Sequence, residues 1–259
     1  FSGKSDCSLT GKPIYLGGSL ARKEATGFGL CYFVNEALKT YRNDSFRGKK
    51  VIISGSGNVA MGTLQKAIEL GATVIGMSDI NNAIYVPDGI DFATMKHLKE
   101  DLRSETKEYA NLKPNVTVLD SPKDLWSIKC DIAMPCATQF EINEQDAKKL
   151  IDNGAIAVFE GANMPCTLEA TNLILSNGLL FSPGKASNAG GVGTSYLEIV
   201  QNVKNEKWSF EEVDHKLSDI MKGIFKNCYE TAKKLGDERN LVKGANNYSF
   251  EKLLTLLKL

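Results

Sequence analysis

Gly55, Gly57 and Ala60 stand in the spacing Gly-x-Gly-x-x-Ala. In such a pattern the first glycine permits a tight turn and the second lets a pyrophosphate approach the backbone. The third, small residue lets a helix pack closely on a strand. The turn works only where a strand feeds a helix, whose N-terminus offers free N–H groups and a partial positive charge to phosphates. Both neighbours are readable. Lys50–Ser54 is a short run rich in β-branched residues, Ala60, Leu64, Ala67 and Ile68 share one helical face, and Gly71 stops the helix. Thr73–Met77 reads as a second strand, ending in Ser78-Asp79. An acid roughly 20 positions past the glycines bonds the ribose 2′-OH of NAD, whereas the hydroxyl of Ser78 can donate to the 2′-phosphate of NADP. Local chemistry leaves that choice open.

Other chemistries have little to build on. The six cysteines form no Cys-x-x-Cys pair, and they read as reduced, buried thiols of a cytoplasmic protein rather than a disulfide framework. The two histidines, His97 and His215, lie in amphipathic helical patterns, which gives no metal site and no Ser-His-Asp triad. Gly3-Lys4-Ser5 has the residues of a P-loop end without the strand before it or the helix after it. Lys plus Arg equals Asp plus Glu at 31 each, so no basic excess points to nucleic acid. No run approaches the roughly 18 apolar residues of a membrane span. The chain starts at Phe1 without a Met, and the expectation is that it is a piece of something longer.

The elements around the turn have one rhythm. Residues 1–18 read as loop, and Leu30, Val34, Ala37, Leu38 and Tyr41 then follow one helix face, ended by Asn43, Asp44 and Gly48. Beyond the second strand, 91–110 reads as one helix, Val116–Leu119 and Cys130–Met134 as strands, and 142–152 as a helix stopped by Gly154. Ala155–Phe159 is a strand, 167–177 a helix, and Leu179–Phe181 a strand. After Gly191 only helices follow: Val192–Val203, one opened by the capping box Ser209-Phe-Glu-Glu212 with Val213, Leu217, Ile220, Met221, Ile224 and Cys228 on its apolar face, and 249–258. Strands alternating with helices predict an α/β, Rossmann-like, doubly wound and mostly parallel sheet, with additional helices at both ends.

Five segments, in order, resemble the hexameric glutamate dehydrogenases: Gly17-Gly-Ser-Leu-Ala-Arg22-Lys-Glu-Ala-Thr26-Gly-Phe-Gly29, Ser54–Ala60, Pro135-Cys-Ala-Thr-Gln139, Glu160-Gly-Ala-Asn-Met-Pro165 and Pro183-Gly-Lys-Ala-Ser-Asn-Ala-Gly-Gly-Val192. The resemblance runs over essentially the whole chain and is strongest to NADP-linked members. It implies NADP, with NAD as the alternative, and the interconversion of L-glutamate with 2-oxoglutarate and ammonia by a homohexamer. Position by position, it makes Gly55, Ser56, Gly57, Asn58 and Val59 the pyrophosphate cradle. It gives Ser78 and Asp79 to the adenosine ribose, and Ala137 and Thr138 to the cleft wall. It gives Thr26, Asn163 and Asn188 to the nicotinamide amide and ribose. Ser195 resembles the residue that meets the substrate's side-chain carboxylate, Val192 its apolar neighbour, and Arg22 an arginine at the cleft mouth. Lys99, Arg103 and Lys107 are candidate 2′-phosphate partners among which periodicity does not choose.

The family's proton-transfer lysine and aspartate have no match in these residues, and the expectation is that both lie upstream, in a substrate domain. Residues 1–198 are expected to form the dinucleotide-binding domain, and 199–259 a helical segment returning toward that substrate domain. The chain alone is then catalytically incomplete. The competing readings are a non-catalytic nucleotide-sensing module and an amino-acid dehydrogenase for apolar substrates, against which the polar Ser195 argues.

Overall fold

The computed structural model describes residues 9–257. Cys7 and the Gly3-Lys4-Ser5 segment lie outside the described residues. The centre of the fold is a seven-stranded sheet in the order β4-β3-β2-β1-β5-β6-β7. Its strands are β1 (Lys50–Ile53), β2 (Thr73–Ser78), β3 (Ala83–Tyr85), β4 (Thr117–Leu119), β5 (Ile132–Met134), β6 (Ala157–Phe159) and β7 (Leu180–Ser182). β2, β1, β5, β6 and β7 run parallel, and β3 pairs antiparallel with both β2 and β4. The sheet is therefore α/β and mostly parallel, as the alternation predicts.

The strands are buried on both faces, so they read as continuous apolar runs. On one face Val51, Ile53, Ile132, Met134 and Phe159 meet the helices α1 (Ala25–Arg42) and α2 (Asn58–Glu69). On the other, Ile52, Ala133, Val158 and Phe181 pack with Leu125 and Trp126 of a 3-10 turn (Pro122–Ser127). The same face holds residues of the helices that follow the short α3 (Phe92–Lys96), namely α4 (Glu144–Asp152) and α5 (Leu168–Ser176). After β7 come α6 (Gly184–Ser187), α7 (Gly190–Lys204), α8 (Phe210–Lys234) and α9 (Leu241–Leu257). α8 starts at the predicted capping box and lies over α1, where Phe225 meets Phe33 edge-on at 5.4 Å. Phe33 also meets Phe159 at 6.5 Å, so α1 is sandwiched between the sheet and α8. Residue 198 lies inside α7. No helix among the described residues is long and apolar enough to cross a membrane.

Three expectations are corrected. The single helix expected over 91–110 is broken into α3, a π-turn at His97–Asp101 and a 3-10 turn at Thr106–Asn111. Arg103 adopts a left-handed φ of 50° and reverses the chain, which brings the Thr106 N–H to Asp79. The last helix begins at Leu241, before the 249–258 pattern. Its N-terminal half buries Leu241, Gly244 and Ala245, while Phe250, Leu253 and Leu256 are exposed. β3 has no expected counterpart: at three residues, joined to β2 by a tight turn in which Asp79 N–H donates to the Asn82 carbonyl, it is too short to carry a period.

Candidate functional site

Chain order places the site. From β1 the chain winds outward through β2, β3 and β4, then returns to the other side of β1 as β5. The carboxyl ends of β1 and β5 therefore diverge at a topological switch point, where open α/β sheets bind ligands. The segments after these strands, 54–57 and 135–138, form the two tips of the crevice. Gly55 has φ of 83°, and a Cβ there would lie 3.1 Å from both the Cα and the Cβ of Ala137, so the tips touch at a position only glycine fits. A Cβ at Gly57 would meet only open space, and no side chain caps α2. The first N–H groups of α2 are left for an anion above Gly57.

One end of the crevice is a cavity of roughly 490 Å³ lined by Gly55, Ser56, Gly57, Ser78, Asp79, Ala137 and Thr138. Its polar walls are engaged with one another. Ser78 is buried, and its Oγ accepts from Gly55 N–H at 3.1 Å, so it fixes the turn. The Oδ1 of Asp79 accepts from Asn81 N–H (3.0 Å) and Asn82 N–H (3.2 Å), and its Oδ2 from Thr106 N–H (2.6 Å). Burial raises the Asp79 carboxyl, but these amides outweigh it and hold it below the ordinary carboxylate range. Of the candidate phosphate partners, Lys99 donates to the Ser104 carbonyl (2.7 Å) and lies 3.7 Å from Asp79, and Lys107 is paired with Glu105 (2.6 Å). The basic side chain that lines this cavity is instead Lys123, beside Ile80, Pro122, Trp126, Phe140 and Glu141.

The other end is a cavity of roughly 780 Å³ that shares Cys136, Ala137 and Gln139 with the first. It gathers Arg22, Thr26, Val59, Asn163, Asn188, Val192 and Ser195. Close helix crossings bring these together. A Cβ on Gly27 would lie 2.3 Å from Thr63 N, and one on Gly190 would lie 2.1 Å from the Ala25 carbonyl. The backbones of α2 and α7 thus touch α1 on either side of Thr26, and the Thr26 hydroxyl lies against Gly191. Asn188 Nδ2 donates to Asn163 Oδ1 at 2.8 Å, linking the segments after β6 and β7. Glu160 holds the same two segments, accepting from Cys166 N–H (3.2 Å) and Gly184 N–H (2.7 Å), and burial raises its carboxyl. Arg22 Nε is buried without a partner. Val192 is 69% exposed and Tyr196 61%. Asn58 lines an adjoining cavity with Arg22, Thr26 and Val59.

The residues expected for the cradle, ribose, cleft wall, nicotinamide and substrate thus line the crevice or an adjoining cavity, whereas the candidate phosphate partners Lys99, Arg103 and Lys107 line none of these cavities. Glu141, Glu160, Lys123, Ile80 and Lys185, which lines the larger cavity, were not expected. The two glutamates carry a faint signal, since each stands inside or beside a Gly- or Pro-containing segment that follows an apolar run.

Comparison with known proteins agrees with this geometry. Residues 17–258 match the family described as Glutamate/Leucine/Phenylalanine/Valine dehydrogenase. An NAD(P)-specific glutamate dehydrogenase of Xylanibacter ruminicola is 49% identical over 95% of this chain and 55% of its own length. An NADP-specific glutamate dehydrogenase of Helicobacter pylori is 46% identical over 96% of this chain and 57% of its own. The crystal structure of Plasmodium falciparum glutamate dehydrogenase superposes with a TM-score of 0.91 at 42% identity, over 95% of this chain and 53% of that one. The chain therefore spans about half the length of the relatives it matches.

Proposed function

This chain belongs to the glutamate/leucine/phenylalanine/valine dehydrogenase family, and from that premise we propose that it is the cofactor-binding portion of an NADP-dependent glutamate dehydrogenase. The observation that carries the reading is that the cavity at the Gly55–Gly57 turn and the cavity holding Ser195 lie on either side of shared walls, Cys136, Ala137 and Gln139. The open space over Gly57 and the uncapped start of α2 fit a pyrophosphate. A nicotinamide held by Thr26, Asn163 and Asn188 would supply the hydride donor and acceptor for interconverting L-glutamate with 2-oxoglutarate and ammonia.

The chain's own residues bind and orient. The amides of Ser56 to Val59 face the pyrophosphate. The amide side chains of Asn163 and Asn188, with the Thr26 hydroxyl, donate to and accept from the nicotinamide amide and ribose. Ser195 meets the substrate's side-chain carboxylate beside Val192. Arg22, whose Nε lacks a partner, offers a cation to a substrate carboxylate or to a neighbouring acid. The preference for NADP over NAD is supported at Asp79, whose two oxygens are held by three backbone amides, so its charge is turned into its own loop. Proton transfer falls to a lysine and an aspartate of a substrate domain outside these 259 residues, toward which 199–259 returns from the dinucleotide-binding unit at 1–198. The assembled enzyme is a homohexamer. A cytoplasmic setting is supported by free thiols at Cys31, Cys130, Cys136, Cys166 and Cys228.

The test is to titrate the chain with NADP and NAD, following Trp126 fluorescence, and then to assay glutamate-dependent NADPH formation. Saturable binding with NADP preferred, and negligible turnover, is the expected outcome. Turnover by the chain alone, or no binding of either nucleotide, contradicts the proposal.

A further inference from the structure

Glu141 follows the second tip of the crevice and lines its smaller cavity. One oxygen, Oε1, accepts from both Ala137 N–H (3.1 Å) and Thr138 N–H (3.3 Å), the exposed residues of the cleft wall. Ser54 Oγ accepts at 2.8 Å from the N–H of Cys136, the residue just before them. Ser54 ends the approach to the first tip, and the next residue, Gly55, is the one in contact with Ala137. The Glu141 carboxylate therefore ties two amides of the second tip, and Ser54 ties that tip to the first. An exposed wall segment would otherwise satisfy its amides with water and sample other conformations.

We propose that Glu141 is a positioning residue that holds Ala137 and Thr138 in the nucleotide-ready arrangement and thereby sets the affinity of the crevice, weakening it as the carboxylate takes up a proton. This inference rests on the nucleotide-binding reading of the site. Burial places the Glu141 carboxyl above the ordinary carboxylate range, and the bonds from Ala137 and Thr138 oppose that rise. The charged and titratable groups about it are Glu160, from the segment after β6, and the thiols of Cys136 and Cys166, with Asp79 and Lys123 lining the same cavity. Glu160 adds to the rise by repulsion. Protonation leaves one carbonyl oxygen but removes the charge that strengthens the amide bonds.

The test compares wild type, Glu141→Gln and Glu141→Ala by calorimetric titration with NADP from about pH 7.5 down to the lowest pH at which all three remain folded. Saturable binding by wild type establishes the nucleotide site, and its absence is a failure of that reading rather than of the role of Glu141. Glu141→Ala is expected to weaken binding roughly tenfold at the upper pH, as loss of charge-assisted bonds implies. Glu141→Gln, which keeps one acceptor for the amides but no charge, mimics the protonated acid and is expected to bind at neutral pH more weakly than wild type and more tightly than Glu141→Ala. The 2′-phosphate titrates in this range in every protein, so the difference between profiles is decisive. Wild type should lose more affinity on acidification than Glu141→Gln. Identical profiles for wild type and Glu141→Gln overturn the proposal, as does a Glu141→Ala protein that melts earlier but binds NADP as wild type does. If Glu141→Ala does not fold, the Glu141→Gln profile alone decides.

Discussion

The two ends of the crevice are built differently. At the glycine-turn end several wall groups already have protein partners: Ser78 holds Gly55, Glu141 holds Ala137 and Thr138, and three amides hold Asp79. At the other end Asn188 is tied to Asn163 and Lys185 to Asn246, but Arg22 Nε has no partner, and Val192 and Tyr196 stand exposed beside Ser195. The difference teaches where binding energy resides. A wall whose hydrogen bonds are satisfied before the ligand arrives loses little freedom on binding, whereas an unsatisfied, exposed wall must be ordered as it binds. The glycine-turn end is therefore expected to dominate nucleotide affinity in this chain, and the opposite end to contribute mainly once its exposed face is covered.

The strongest way to break the contrast is Gly55→Val. The φ of 83° and the 3.1 Å approach to Ala137 leave no room for a side chain. Strain of about 1–2 kcal/mol from the left-handed backbone, together with about 1–3 kcal/mol from overpacking, should abolish measurable nucleotide binding by calorimetry. Retained affinity would show that the tips need not touch.

Asn188→Ala should do much less. Losing the bond to Asn163, roughly 0.5–1.5 kcal/mol, is expected to weaken whole NADP by about twofold to tenfold. Binding of 2′-phospho-ADP, which lacks both the nicotinamide and its ribose, should be unchanged. Equal losses for both ligands would erase the distinction between the ends.

The smallest effect concerns acid stability. Asp79 has a folded-state carboxyl below its unfolded value, so it contributes stability that is present above about pH 4 and lost as pH falls through the folded value. Asp79→Asn should remove this component: urea midpoints of wild type and variant should differ at neutral pH and converge as pH falls below about 4. A constant difference across pH would mean that the amides at Asp79 bind the folded carboxylate no better than water does.

Much of this was legible in the sequence, and the particular residues show why. Gly55, Gly57 and Ala60 sit between an apolar run and a helical period, so a strand–turn–helix unit is readable from local pattern alone. The capping box at Ser209 is equally local, and α8 begins there. β3 escaped because three residues hold no period. The helix expected over 91–110 failed because a tertiary demand, the bond from Thr106 to Asp79, overrides a continuous amphipathic pattern. Glu141 and Ser54 stayed hidden for another reason. Glu141 serves amides three and four residues before it, and Ser54 one more than eighty residues away in Cys136, and neither arrangement has a sequence period. Spacing from the glycines brings Asp79 to the cavity beside the turn, but its inward orientation depends on Thr106 and is invisible to spacing.

The most direct test of the central claim compares whole NADP with 2′-phospho-ADP by calorimetric titration of the 259-residue chain. A prebuilt glycine-turn end and an unsatisfied opposite end predict that the two ligands bind within about tenfold of one another, a gap of about 1.4 kcal/mol. Tight binding of NADP with no detectable binding of the fragment would place the affinity at the open end and contradict the account.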